Sequence, residues 1–380
     1  MYFYYLEEFM KKLVSLLLIT TVLLGSAACG SSKQTTDPTP TAVPTAAPTI
    51  APSSDDSSNP NAEVTPVVTP ELIPAVTFPV TVTDQAGRTV TIKSMPEKLV
   101  SSYYISTSTL IALGLTDKLV GIEAKANKRP IYVQSIPKML ELPAIGTVKE
   151  LDLEACVALA PDLVILPLKQ KNNAAMLEQL GVTVLFVNPE SGDLLEEMIR
   201  LLATATGTTS KGSELLAYIN AQREYLISTL AGVQRPTVYM AGNSDFLSTA
   251  GNAMYQSDLI ALAGGKNVAD AITDTYWSTV SYEQILAWNP EVILLAADAS
   301  YSIDDVLNDK MLADCTAVKE KRVYQMPSKA EAWDAPIPGS ILGAVWFAGI
   351  LHSEQISPER SSSLINEFYQ TYYAFNYNAD

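Results

Sequence analysis

Residues 151–166 read LDLEACVALAPDLVIL, and residues 280–295 read VSYEQILAWNPEVILL. Each copy predicts a short helix with a glutamate in its first turn, Glu154 or Glu283, followed by a proline and a buried strand. Strands that alternate with helices build parallel sheets covered on both faces. The spacing between the copies far exceeds the roughly 20–50 residues of a solenoid repeat. The pattern therefore predicts two lobes of related α/β build.

The chain around the first copy continues this alternation. A hairpin is predicted from Val80–Thr83 and Thr89–Ile92, which alternate around a turn that contains Gly87. The later strands are predicted at Leu99–Tyr103, Leu119–Ile122, Asp162–Leu166 and Val182–Val187, and the helices at Ser106–Leu113, Leu153–Leu159 and Ala174–Leu180. The second lobe is predicted to begin near Pro236 and to include a strand at Arg322 and a helix over Ile341–Leu351.

A long helix is predicted between the two lobes. Apolar residues recur at helical spacing over Lys211–Val233, after a shorter predicted helix over Asp193–Thr206. About twenty residues of α-helix reach about 30 Å, so this segment is expected to be a rigid connector. The predicted organisation is a signal peptide over 1–28, a tether over 29–75, a first lobe over 76–207, the connecting helix over 208–233, a second lobe over 234–356 and a C-terminal helix over 357–380 that packs on a lobe.

The N-terminal segment has the layout of a secretory signal. Lys11 and Lys12 precede an apolar run over 13–24, and small residues follow before Cys29. Translation is expected to start at Met10. The small residues and Cys29 resemble the lipobox of bacterial lipoproteins, which implies an acylated Cys29 and a protein anchored to the outer face of the cell membrane. The alternative is a plain signal peptide with an incidental cysteine. Residues 30–75 are rich in Pro, Thr and Ser, which is typical of an extended tether.

Composition excludes several classes of function. The 380 residues carry a formal net charge of -16, which argues against a nucleic-acid surface because phosphate binding needs concentrated positive charge. With one histidine and three cysteines, the composition argues against catalysis by imidazole and against a cysteine-rich zinc site. We expect His352 to be structural and Cys156 and Cys315 to be buried free thiols. No catalytic residue, metal ligand or cofactor is expected, and the chain is predicted not to be an enzyme.

A set of motifs resembles the solute-binding proteins of bacterial ABC importers for iron–siderophore complexes, haem and cobalamin. The motifs are Asp84–Arg88, Leu113–Gly121, Gly146, the block from Glu154 to Ile165, Ala263–Asn267 and Arg322–Tyr324. The resemblance implies two α/β lobes with mainly parallel sheets, joined by a single long helix, with the ligand in the cleft between them. It also implies that Glu154 and Glu283 dock onto the permease dimer, which works with ATPase subunits. The alternative is that each glutamate only favours its own helix N-terminus.

Ligands of open α/β sheets bind beyond the carboxyl ends of the strands. The residues that follow the predicted strands and are expected to bind ligand are Tyr103, Tyr104, Lys125, Arg129, Lys149, Lys169, Asn243, Phe246, Tyr276, Trp277, Lys329, Trp333 and Asp334. Basic and aromatic side chains in an acidic protein indicate an anionic ligand with flat apolar parts, such as an iron–siderophore or another metal chelate.

The same residues are compatible with other ligands and with other functions. Haem, held through Tyr103 or Tyr104, cobalamin and an oxyanion such as molybdate are alternatives within the same family. A ligand sensor or an enzyme on the same two-lobed fold is a further alternative. The expected partners are the permease with its ATPase subunits, a small ligand and the membrane, and the body is expected to be a monomer.

Overall fold

The computed structural model describes residues 72–273 and 277–377. The predicted signal segment, Cys29 and the predicted tether up to residue 71 therefore lie outside the described residues. Residues 72–75 were also predicted as tether, but the structure describes them and buries Ile73 in the core. The described chain opens with a hairpin of β1 (Val80–Thr83) and β2 (Thr89–Ile92), which pair antiparallel as predicted. Buried Asp84 shapes the turn by accepting hydrogen bonds from the backbone N–H groups of Ala86 and Arg88, each at 3.0 Å.

The first large sheet holds four short parallel strands within the described residues. They are β3 (Leu99–Ser101), β4 (Leu119–Gly121), β5 (Leu163–Pro167) and β6 (Thr183–Val187), in the order β4-β3-β5-β6. The helices between them are α1 (Tyr104–Ala112), α2 (Pro130–Ser135), α3 (Leu153–Ala158) and α4 (Lys171–Gln179). Strands β3 and β5 are buried throughout, as expected for a sheet covered on both faces.

Two helices lead away from this sheet. Helix α5 (Gly192–Thr206) ends at Gly207, which has a φ of 74° in the left-handed region that terminates helices. Helix α6 (Thr209–Thr229) follows and is the predicted connector, although it ends before Val233. The start of the described chain is attached to α6, because the backbone N–H of Ile73 donates to Ser213 Oγ at 2.8 Å.

The second large sheet mixes parallel and antiparallel pairs. Its strands are β7 (Thr237–Ala241), β8 (Ser248–Thr249), β9 (Lys266–Asn267), β10 (Ser278–Thr279), β11 (Val292–Leu295) and β12 (Val323–Gln325). Strands β7, β9, β11 and β12 are parallel, whereas β8 and β10 are antiparallel. The helices of this half are α7 (Tyr255–Leu262), α8 (Tyr282–Trp288), α9 (Ile303–Leu307), α10 (Thr316–Lys319) and α11 (Ile341–Leu351). The predicted α/β fold with mainly parallel sheets is confirmed.

The C-terminal helix α12 (Pro358–Tyr373) contacts both halves of the molecule. It packs on α11 of the second half, and its Tyr373 hydroxyl lies 2.9 Å from Ser108 Oγ on α1 of the first. The helix ends at Tyr373, before the predicted bound at residue 380, because Ala374 adopts a left-handed φ of 57°. The sequence placed this helix on one lobe, and the structure shows it in contact with two.

Direct contacts also join the two halves beside the connecting helix. The backbone N–H of Tyr255 on α7 donates to the carbonyl of Glu190, which follows β6, at 3.2 Å. Asp258 Oδ2 accepts a hydrogen bond from the N–H of Gly192 at the start of α5, at 3.3 Å. One hydrophobic cluster contains buried side chains from both sheets, and a further cluster lies on the outer face of each sheet. In the described part of the chain, no helix combines the length and apolar character needed to cross a membrane.

Candidate functional site

A cavity of about 190 Å³ lies where the carboxyl ends of strands from both sheets meet. Helix α1 follows β3, the segment that leads into the first turn of α2 follows β4, and two loops follow β11 and β12. These four segments contribute Tyr104, Ser108, Lys128, Arg129, Pro130, Ile131, Tyr132, Asp298, Ser328, Ala330, Glu331 and Ala332 to the cavity wall. A ligand held here would touch both halves of the molecule, as expected for a site at strand ends.

Arg129 and Tyr104 form the cationic part of this cavity. The guanidinium carbon of Arg129 lies 4.0 Å from the centre of the Tyr104 ring, within the range of a cation–π contact. Tyr103 meets Tyr104 edge to face, with ring centres 5.7 Å apart. Burial raises the pKa of both phenols, so both hydroxyls keep their protons at neutral pH. The pair therefore presents a positive charge beside neutral hydrogen-bond donors, which suits an anion.

Glu331 introduces a carboxyl into the same cavity wall. Its side chain is buried, with 8% of the residue surface exposed, and Oε1 accepts a hydrogen bond from Ser108 Oγ at 2.5 Å. Oε2 accepts a longer bond from the Tyr369 hydroxyl on α12 at 3.4 Å. Burial raises the pKa of Glu331 to about 7. The sequence prediction missed this residue because it searched the strand ends for cations and aromatic rings.

A second buried carboxyl, Glu123, stands behind the cavity wall. It accepts hydrogen bonds from Thr107 Oγ1 at 2.7 Å and from the hydroxyl of Tyr132 at 2.8 Å, and Tyr132 itself lines the cavity. Burial raises the pKa of Glu123. Glu123 fixes the Tyr132 ring in place. The sequence signal that could have identified Glu123 is its position just after strand β4.

The remaining cations predicted in the first half lie outside this cavity wall. Lys125 is exposed and adopts a left-handed φ of 67°, and Lys149 is exposed in the loop after Gly146. Lys169 is exposed in the turn after β5, where its charge lowers the pKa of Glu190 against the larger effect of burial, which raises it. The structure therefore brings Arg129 to the cavity and leaves these three lysines around it.

The predicted residues of the second half are dispersed. Asn243 is exposed after β7, and Trp277 is half-buried, close to Gly242. Phe246 packs among Tyr239, Tyr282 and Tyr301 in the outer hydrophobic cluster of the second sheet rather than on a cleft wall. Tyr276 lies outside the described residues.

The loop after β12 turns two of its predicted residues into the core. Trp333 is 1% exposed, and its Nε1–H donates to the Tyr369 hydroxyl at 2.7 Å. Asp334 is buried, accepts a hydrogen bond from the Ala297 N–H at 3.1 Å, and has its pKa raised to about 6 by burial. Lys329 is exposed next to the lining residues Ser328 and Ala330. The structure thus places Trp333 and Asp334 in supporting contacts behind the cavity wall.

A larger cavity of about 810 Å³ lies along α6, with walls from α5, α7 and the segment that contains Arg235. None of the predicted ligand residues lines it. We identify the smaller cavity as the candidate site because it lies at strand ends, and because Arg129 and Tyr104, predicted from the sequence, meet there.

The two glutamates of the repeat are exposed in equivalent places. Glu154 lies in the first turn of α3, after the cap residue Asp152, and Glu283 lies in the first turn of α8, after the cap residue Ser281. Hydrogen bonds from its own backbone N–H and from Ser281 lower the pKa of Glu283. Both side chains are accessible to a partner, and both also stand at the positive end of a helix.

The two cysteines and the histidine of the described chain occupy structural positions. Cys156 and Cys315 are buried free thiols, as predicted. His352 is buried at the end of α11, with Nε2 at 3.2 Å from the carbonyl oxygen of Gly264. Among residues 72–273 and 277–377, no three histidine, cysteine, aspartate or glutamate side chains are grouped so that they could hold a metal ion.

Comparison with known proteins gives one consistent family. The chain is 28% identical over 326 residues to the molybdate-binding protein MolA of Haemophilus influenzae, a match that spans 79% of this chain and 92% of the relative. It is 26% identical over 255 residues to a cobalamin-binding protein of Halobacterium salinarum, across 66% of this chain and 67% of the relative.

The solved structures agree with the sequence comparison. The structure of Haemophilus influenzae MolA bound to molybdate superposes with a TM-score of 0.71 at 27% identity, and it covers 79% of this chain and 100% of its own. That relative is described as the periplasmic binding protein of an ABC transporter. The predicted resemblance to solute-binding proteins of ABC importers is therefore confirmed. A family model described as periplasmic binding protein matches residues 99–330, and the chain belongs to that family.

Proposed function

We propose that this protein captures an anionic ligand in the Arg129 cavity and delivers it to the permease of an ABC importer. The observation that carries the proposal is the Arg129 guanidinium, held 4.0 Å from the Tyr104 ring centre in a cavity shared by both halves of the molecule. A guanidinium offers several donors in a fixed plane, so it binds carboxylate and oxyanion groups with defined geometry. The neutral hydroxyl of Tyr104 adds a further donor to the same wall, whereas the Tyr132 hydroxyl donates to Glu123.

We propose a small oxyanion as the first ligand class. The cavity volume of about 190 Å³ is smaller than the roughly 300–1,000 Å³ of pockets that hold drug-sized molecules. A tetrahedral oxyanion fits such a volume and needs few contacts beyond Arg129 and the Tyr104 hydroxyl. The similarity to a molybdate-binding relative over 92% of that protein supports the same class.

An iron–siderophore or another metal chelate is the second ligand class. Half-buried Tyr103 and Tyr104 present flat apolar surface next to Arg129, and exposed Lys169 lies in a neighbouring strand-end turn. A chelate with acidic groups would extend from the cavity over these residues. Similarity to a cobalamin-binding relative supports a larger, metal-containing ligand.

Calorimetric titration of the full chain in mild detergent separates these classes. The ligands are molybdate, tungstate, sulfate and phosphate on one side, and ferric siderophores, haemin and cobalamin on the other. Arg129→Gln is expected to raise the Kd of the bound ligand by about 10- to 100-fold, because a charged hydrogen bond contributes about 1.5–3 kcal/mol. Lys125→Gln removes a cation from an exposed position outside the cavity wall and is the matched control. Equal affinity of the Arg129 variant and the control would refute this site.

We also propose that Cys29 is the lipid anchor and that the body works outside the cytoplasm. The lipobox-like residues before Cys29 and the Pro-, Thr- and Ser-rich residues after it support this assignment. Cys29→Ala is expected to move the protein from the membrane fraction to the soluble fraction and to abolish labelling by radioactive palmitate. Retention of the label in the variant would show that another residue carries the lipid.

The exposed glutamates Glu154 and Glu283 are proposed as contacts to the permease. A two-lobed body that meets a two-fold transporter is expected to offer one equivalent charge from each half.

A further inference from the structure

Glu331 is a buried carboxyl in the wall of an anion site, which is an unfavourable place for a second negative charge. Ser108 Oγ donates to it at 2.5 Å, and the Tyr373 hydroxyl lies 2.9 Å from the same Ser108 oxygen. The Tyr369 hydroxyl donates to its other oxygen at 3.4 Å. The side chain is held between α1 and α12, so it cannot swing away from the cavity when a ligand enters.

The charged groups around Glu331 come from two further segments and from its own loop. The segment before α2 supplies Lys128 and Arg129, and Arg129 attracts the negative charge of Glu331. The loop after β11 supplies exposed Asp298. Its own loop carries exposed Lys329 and buried Asp334.

Neutral phenols complete the surroundings of Glu331. Burial raises the pKa of Tyr104, Tyr132, Tyr369 and Tyr373, so these hydroxyls act as donors and not as charges. Glu123 stands behind Tyr132, whose hydroxyl it binds at 2.8 Å. Glu331 is therefore the buried carboxyl of the cavity wall itself.

We infer that Glu331 takes up one proton when the cavity binds a dianion, and that it thereby selects which anion charge state the site accepts. The inference rests on the proposed function, since it needs an anion at Arg129. An ionised Glu331 would leave a dianion with a like charge across a cavity of only about 190 Å³. Protonation from solvent converts the carboxylate to a neutral carboxyl and removes that repulsion without breaking any other bond.

The charge balance at the site supports this step. Burial raises the pKa of Glu331 to about 7, so both forms are accessible near neutral pH in the empty cavity. A bound dianion is a further negative charge, which raises that pKa again. Binding and protonation then favour each other, because each stabilises the state that the other requires.

Calorimetry of the full chain with molybdate at pH 6, 7, 8 and 9 tests the inference. Above pH 7 the Kd is expected to rise with pH by a factor that approaches about ten per pH unit. This is the slope for uptake of one proton on binding. Perrhenate, a tetrahedral monoanion, is expected to show a shallower slope. Glu331→Gln keeps the shape of the side chain without its charge, so it is expected to bind molybdate at pH 9 nearly as well as wild type does at pH 6.

Asp298→Asn is the matched control, because it removes one negative charge from an exposed position of the same wall. Water screens the charge of an exposed group, so this variant is expected to keep the wild-type slope. Titration of the wild type in buffers of different ionisation enthalpy counts the protons taken up and needs no variant.

The possible outcomes separate this inference from the proposed function. A Kd that depends on Arg129 but not on pH, or a Glu331→Gln variant that keeps the wild-type slope, overturns the inference alone. Absence of binding to every anion at every pH overturns both. A slope near one proton that disappears only in the Glu331 variant establishes Glu331 as the selectivity residue.

Discussion

Asp84 accepts four hydrogen bonds, three from the turn of the opening hairpin and one from the first sheet. Its carboxylate accepts the N–H groups of Ala86 and Arg88, the Arg88 Nε–H at 2.9 Å, and the Phe186 N–H of β6 at 3.1 Å. The residue is 2% exposed. Its loss would leave the buried Phe186 N–H and three half-buried donors without this partner, and a buried donor without a partner costs about 1–3 kcal/mol.

Asp84→Ala is expected to lower the free energy of unfolding by about 3 kcal/mol, because four hydrogen bonds to a buried carboxylate are lost together with its ion pair to half-buried Arg88. Urea denaturation followed by circular dichroism measures the change. Thr81→Ala removes an exposed hydroxyl of the same hairpin, 3.0 Å from Thr91 Oγ1, and is expected to change stability by less than about 1 kcal/mol. Similar losses in the two variants would contradict the role given to Asp84.

At single residues, sequence reasoning identified two residues of the cavity wall and missed others. The strand-end rule identified Tyr104 and Arg129, because it depends only on where a strand stops. It also selected Trp333, which lies next to the correct loop but points into the core toward Tyr369. The direction of a loop side chain depends on tertiary packing, which a strand pattern does not contain. Glu331 was missed because a carboxyl in an anion site makes sense only when its burial is known.

Among the elements, predicted helices and strands were found in place, with shifted ends. Tyr103 was expected at the end of a strand but caps helix α1, since β3 already ends at Ser101. The change of direction is made there by Ser101 and Ser106, whose hydroxyls lie 2.8 Å apart. Polar side chains that bond to nearby backbone compete with regular structure at such places, so apolar periodicity locates an element more accurately than its ends.

The contact between helices α5 and α6 depends on Gly212. A Cβ atom at this position would lie 2.5 Å from the Cβ of Ala203 on α5 and 2.8 Å from Cδ1 of Ile73. Glycine inside a helix costs up to about 1 kcal/mol relative to alanine. Close packing of the two helices is therefore achieved at the expense of local helix propensity.

Gly212→Ala is expected to lower the free energy of unfolding by about 1–2 kcal/mol, because overpacking costs about 1–3 kcal/mol and outweighs the gain in propensity. Thermal unfolding of the full chain detects the change. Ser210→Ala, at an exposed position of the same helix, is expected to be neutral or slightly stabilising. A stabilised Gly212 variant would show that the two helices can separate at no cost.

Across the whole molecule, the connecting helix is accompanied by further links between the halves. The Tyr255–Glu190 backbone hydrogen bond, the Asp258 bond to Gly192 and the C-terminal helix each join the two. The repeat in the sequence predicted two related sheets. It could not predict these links, because they join residues that are far apart in the chain and carry no shared pattern.

The docking proposal for Glu154 and Glu283 is tested on the assembled importer. Glu154→Lys combined with Glu283→Lys is expected to leave the ligand Kd unchanged, since neither residue lines the cavity, and to reduce ligand-stimulated ATP hydrolysis in proteoliposomes at least about tenfold. Glu224→Lys makes the same charge change at an exposed position of α6 and is the control. Full stimulation by the double variant would leave the two glutamates with only their local role at helix starts.

The bond between the Ile73 N–H and Ser213 Oγ has a mechanical consequence. A pull transmitted along the chain from its N-terminal side reaches α6 first, and α6 lies between the two sheets in the chain order. Force applied at Ile73 would therefore act on the helix that connects the two halves, and not on one sheet alone.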